Sequence, residues 1–269
     1  MLTRFFAFAT PACVAASLAM PTAAALVDFD TAGDLANNFT ITGAMTQSPT
    51  GGAGNSGSVT PPAADATAVY NQDTFAFDTG ETATISMLLK KGPTPAGGSR
   101  ALQLGFGNGT SSLFTNGTSS FLSARIDSST GATAGQMQLA VQTRDGSALT
   151  TNAQGSAFSL TNGNFYLFTV NITKTGDSSF VLDGSVVDQG IDGLTPGATI
   201  ASFTDAAVTN NTLGGSGTTS GLNAAFRSNA SAGAAALDNF SANAGPIPEP
   251  GSLGLIGLGA LSLVARRRR

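Results

Sequence analysis

Residues 165–174 place Tyr166, Phe168, Val170 and Ile172 at alternate positions. That two-residue period is the pattern of a half-buried strand, and no amphipathic helix reproduces it. Lys174-Thr175-Gly176-Asp177 carries turn chemistry, and the apolar run resumes over Phe180–Leu182, which makes a hairpin. Similar short runs occupy 83–89, 101–106, 121–126, 137–141 and 224–227, separated by Gly, Asn and Asp clusters. Between the chain's two ends, no window sustains apolar spacing of 3, 4 and 7 with helix caps. Many short strands with Gly-rich turns predict an all-β sandwich. No helix longer than about two turns is expected between residues 30 and 243.

A chain of 269 residues has room for one large β-domain or two small ones. The loosest stretch is 43–66, with 51–57 rich in Gly and Pro61-Pro62 behind it. Only residues 26–42 precede it in the exported body, too few to fold alone. Residues 26–245 therefore read as one domain, with 43–66 as a long internal loop and the first strands pairing with the last.

Composition removes most chemistry. There is no His, so no Ser-His-Asp or Cys-His relay and no His-ligated zinc can form. Cys13 is the one thiol, and it lies in the leader. Residues 26–247 hold seven Lys or Arg against fifteen Asp or Glu, a net charge of −8 with no basic stripe, so nucleic acid is not an expected partner. Retaining glycosidases need two carboxylates about 5 Å apart. Glu81 is the body's one glutamate, and Asp28/Asp30 and Asp183/Asp188 are the remaining pairs to consider. No catalytic residue is assigned, and the chain reads as a non-enzyme. No cofactor is expected unless it is calcium, which takes oxygen ligands. Asp28, Asp30 and Asp238 are the candidate ligands, with Asp34 and Asn239 nearby if the terminal strands pair. Solvated turn aspartates are the competing reading.

Both ends address the chain for export. Arg4, an apolar run over Phe5–Leu18 and the small-residue exit at Ala23 and Ala25 form a signal peptide over residues 1–25, cleaved after Ala25. At the other end, Pro248-Glu249-Pro250 precedes an uncharged stretch over Gly251–Ala265 and the run Arg266, Arg267, Arg268 and Arg269. As a transmembrane helix, 251–265 is roughly 22 Å long at ~1.5 Å per residue, short of the ~30 Å hydrocarbon core. The arginines hold its end in the cytoplasm.

This order of Pro-Glu-Pro, Gly-rich apolar helix and Arg run resembles the PEP-CTERM sorting signal of Gram-negative bacteria over 246–269. The resemblance implies processing by an exosortase, a membrane peptidase of bacteria that make exopolysaccharide. In the body, Tyr166–Ile172, the Thr175-Gly176 turn, Phe180–Leu182 running into Asp183-Gly184, and the closing Ala235–Phe240 are similar to the concanavalin A-like (laminin-G-like) jelly roll. That shell hosts lectins, glycosidases and adhesive modules alike.

The combined expectation is an exported surface or extracellular-matrix protein, structural or adhesive within exopolysaccharide. A lectin-like glycan-binding module, with Tyr70 or Phe-lined loops as contacts, is the alternative, and a polysaccharide hydrolase is a more remote one. Replacing Pro248, Glu249 and Pro250 together with Ala is expected to leave full-length protein in the membrane fraction. Wild-type processing of that variant, read by fractionation and terminal mass spectrometry, would make the tail an ordinary short anchor.

Overall fold

The computed structural model describes residues 25–93, 100–128 and 135–245. Among them, two antiparallel eight-stranded sheets pack face to face as a β-sandwich. Sheet 1 runs β14 (Thr199–Thr209), β13 (Ser179–Asp188), β12 (Phe165–Lys174), β7 (Thr82–Lys91), β16 (Ala234–Gly245), β4 (Ser58–Thr60) and β3 (Thr46–Ser48). A short β1 (Ala25–Val27) also pairs with β16. Sheet 2 runs β11 (Ala148–Phe158), β10 (Met137–Asp145), β9 (Phe121–Asp127), β8 (Arg100–Gly107), β15 (Thr219–Ser228), β5 (Ala66–Tyr70) and β2 (Phe39–Thr42). Beside β5, β6 (Phe75–Phe77) also pairs with β15. The α-helix among the described residues is the five-residue α1 (Asp34–Asn38).

Alternation decides which residues meet between the sheets. On β12, Tyr166, Phe168, Val170 and Ile172 point inward, against Leu182 and Val186 of β13 and Ile85, Met87 and Leu89 of β7. Sheet 2 contributes Leu102, Leu104 and Phe106 from β8 and Leu122, Ala124 and Ile126 from β9. Three rings tie the sheets together. Phe39 of β2 lies 5.3 Å from Phe226 of β15 and 5.1 Å from Phe240 of β16, both edge-on. Aromatic pairs of this geometry contribute beyond their buried area.

The first and last described strands pair as expected, with Val27 opposite Phe240 and Ala25 opposite Ala242. Ala25 is buried at the start of β1, so a cut after it leaves Leu26 and Val27 of that strand in place. Residues 43–66 are more ordered than a loop. They supply β3, β4 and a 3-10 turn over Ala53–Asn55, and Val59 is buried opposite Leu237. Each strand there is three residues long, too short for a period to show.

Phe240 is fully buried among Phe39, Tyr70 and Phe226. Phe240→Ala is expected to lower unfolding free energy by about 3–5 kcal/mol. Leu149→Ala, on the exposed edge strand β11, should change it by under ~1 kcal/mol. Urea denaturation of the two variants checks the contrast.

Candidate functional site

Residues of sheet 2 that do not face the core share a second face. Cross-strand register sets Thr67, Arg227, Gln103, Arg125 and Ala140 in one row, from β5 to β10. The next row is Val69, Ala225, Gly105, Ser123 and Gln142. Gly105 is required there, because a Cβ would lie 2.2 Å from the Leu122 carbonyl oxygen. The 108–120 segment folds over one end, where Leu113 and Phe114 pack on Val69, Phe121 and Ala225. This outer face is thus polar and still largely out of water: Gln103, Ser123, Arg125, Asp127, Gln142 and Arg227 are all buried.

Some of its groups pair with each other. Gln103 Nε2 donates to Ser123 Oγ at 2.8 Å and Gln142 Oε1 at 2.9 Å. Arg125 is bridged to Asp127 at 2.6 Å. Arg100 and Arg227 both bridge to the same oxygen, Asp65 Oδ2, and Asn229 donates to Oδ1. Burial pulls the Arg125 pKa down to about 10; Asp127 opposes the shift, and Arg100 and Arg227 add to it. Arg227 is lowered as well, by burial first and then by Arg100.

Other groups on the face lack a partner. Thr67 Oγ1, Arg100 Nε, Gln103 Oε1, Gln138 Oε1, Arg144 Nε and Arg227 Nε are buried without a hydrogen bond. All six residues lie on the outer face of sheet 2. Buried polar groups are normally satisfied, and each exception calls for an explanation such as an ordered water or a ligand. Chemically, the face offers guanidinium donors and amide and hydroxyl acceptors to a polyhydroxylated or anionic molecule.

The calcium candidates are placed differently. Strand β1 ends at Val27 and Phe29 has a positive φ, so Asp28 and Asp30 do not form a pair on one strand face. Asp28 Oδ1 instead accepts the Asp30 N–H at 3.2 Å. Asp30 and Asp238 do converge, both on the Gly-rich loop. Asp30 accepts from Gly57 N–H, and Asp238 accepts from Ala53 N–H, Ser56 Oγ and Asn239 N–H. A Cβ on Gly52 would sit 2.5 Å from Asp238 Oδ2, so the loop closes tightly on that carboxylate. The oxygens that meet there already face N–H and O–H donors, and Asp34 turns back to cap Thr31 N–H. Among the described residues, no group of three or more His, Cys, Asp or Glu is arranged to hold a metal ion. Asp30 and Asp238 hold the 52–57 loop, and Asp28 and Asp34 serve the turn before α1.

The remaining carboxylates also serve turns and edges. Glu81 accepts from Asp78 N–H, Asp183 from Asp205 N–H, and Asp188 from Gly190 N–H and Asn164. Tyr70 is half-buried and packs against Phe39, Phe75 and Phe240 of the core. Ala23, the 251–265 helix, Pro248, Glu249, Pro250 and Arg266–Arg269 lie outside the described residues. The polar face itself was missed, because its arginines are far apart in sequence and only the strand order 9-8-15 gathers them.

Positions 246–269 match the family described as the PEP-CTERM protein-sorting motif. The chain carries a PEP-CTERM sorting signal. The signal implies export. No curated protein matches the chain by sequence. Among solved structures, lectin UEA-II complexed with galactose matches at a TM-score of 0.53 and 10% identity, covering 84% of this chain and 100% of that one. Peanut lectin with a 9mer peptide gives 0.47 at 10% identity, covering 83% and 99%. A protein of unknown function from Shewanella oneidensis MR-1 gives 0.44 at 16%, covering 82% and 86%. The likeness to lectin UEA-II establishes a concanavalin A-like lectin fold.

Burial raises the Asp238 carboxyl above its usual range, ahead of the opposing hydrogen bonds from Ala53, Ser56 and Asn239. Between the unfolded value, near pH 4, and the raised folded value, the native state holds more protons. Stability contributed by this group therefore falls as pH rises through that window. Asp238→Asn should flatten the decline in urea midpoints measured from about pH 4 to about pH 6; an unchanged slope would assign it to other groups.

Proposed function

We propose that this chain is an exported cell-envelope protein that binds polysaccharide on the outer face of sheet 2. It acts as an adhesive or structural component of an exopolysaccharide matrix. An N-terminal signal peptide exports it, an exosortase-type peptidase processes its tail, and the transmembrane helix holds it at the membrane until then. The jelly roll occupies 26–245 as one domain. One observation carries the reading: among the described residues, the buried side-chain donors and acceptors without a hydrogen bond collect on that face. Sugar hydroxyls both donate and accept, so a saccharide can complete such a set without strong charge. The lectin-like fold supports the same reading by analogy.

The role is binding rather than turnover. The carboxylates on the face, Asp65 and Asp127, are each engaged by arginine. The secreted protein is expected to co-sediment with its host's exopolysaccharide and to release no new reducing ends over hours. Failure to co-sediment would contradict the binding role, and steady release of reducing ends would make the protein a hydrolase.

A further inference from the structure

We propose that Arg100, Arg125 and Arg227 receive a negatively charged substituent of the polysaccharide, a uronate carboxylate or a sulfate ester, entering beside Asp65. This rests on the polysaccharide-binding reading and adds the ligand's class. Adjacent strands bring the three groups together: Gln103 of β8 stands between Arg227 of β15 and Arg125 of β9, and Arg100 is opposite Asp127.

The local charge does not balance. Among the described residues, three guanidinium groups stand beside two carboxylates, Asp65 and Asp127, which leaves one positive charge in excess. That excess stands in a body whose net charge is −8. Arg100 and Arg227 share one oxygen of Asp65, and the Nε of each is buried without an acceptor. A guanidinium fork takes a carboxylate or sulfate through two parallel bonds, the geometry in which Arg binds most strongly. Repulsion from Arg100 adds to the burial that lowers Arg125 and Arg227, and an arriving anion relieves it. A neutral hydroxyl supplies an acceptor but no charge.

The approach is from the Asp65 end. The side chains of Arg100 and Asp65 are each 26% exposed, against 6% for Arg125 and 8% for Arg227. An anionic group thus meets Arg100 first and reaches the lower-dielectric row behind it. Attraction there is screened less by salt than at an open surface.

Calorimetric titration of the secreted protein with oligogalacturonate, dextran sulfate and neutral dextran tests the proposal. At least one anionic probe should bind about tenfold or more tightly than neutral dextran. Arg100→Gln, chosen because Arg100 is the most exposed of the three, should weaken that binding about tenfold or more. Lys90→Gln, on sheet 1, removes the same charge elsewhere and should leave it unchanged. Asp65→Asn removes the competing carboxylate and should tighten anion binding, which gives a gain of function that misfolding cannot mimic. Which anionic probe binds better identifies the substituent. Equal binding of neutral dextran would overturn the anionic class and leave the polysaccharide reading standing. Binding of none of the three, no gain in Asp65→Asn, or equal losses in Arg100→Gln and Lys90→Gln would also overturn it.

Discussion

Sheet 2 is buried on both faces: the apolar core lines the inner one, and the outer one joins a small apolar cluster at one end to a row of buried polar groups. Alternation along β8 sends Leu102, Leu104 and Phe106 into the core and turns Gln103 to the other side. Leu113 and Phe114 then close over part of that side, and guanidinium, amide and hydroxyl groups lose water without gaining full sets of partners. Leaving a buried donor or acceptor unpaired costs about 1–3 kcal/mol. Several such groups on one face are the ground on which the proposed binding role rests.

Sheet 1 supplies the control within the same molecule. Its outer face is also polar, yet its side chains pair across strands. Thr82 bonds to Thr173 at 2.7 Å and Thr84 to Asn171 at 2.8 Å, on a half-exposed surface. Both outer faces are built from Ser, Thr, Asn and Gln, but the arginines and their burial occur on sheet 2. The difference lies in burial and charge and has little to do with how polar each face is.

The sheet interior was legible because burial writes a period into sequence. The strand expected at 165–174 is β12, and the hairpin to β13 turns where Thr175-Gly176 stands. The pairing of first and last strands also follows from closing a sandwich. Edges were not legible: β11 and β14 are mostly exposed, so neither face selects apolar residues and no alternation appears. The acids near the termini were placed close together correctly in the case of Asp30 and Asp238. There Gly52 and Gly57 let backbone N–H groups reach both carboxylates, a contact that leaves no mark in the sequence. The arginine row left no local trace, because its members lie at 100, 125 and 227 and share only a register.

The claim that sheet 2 binds through its outer face can be tested at its own atoms. Residues 26–245 contain four arginines, Arg100, Arg125, Arg144 and Arg227, so side-chain Nε–H signals in a nitrogen-15 spectrum are few and assignable. Adding host exopolysaccharide fragments should shift and slow the exchange of the Arg100 and Arg227 signals, while backbone signals of Thr84, Thr169 and Asn171 on sheet 1 stay in place. Shifts confined to sheet 1, with Arg100 and Arg227 unmoved at saturation, would contradict the account.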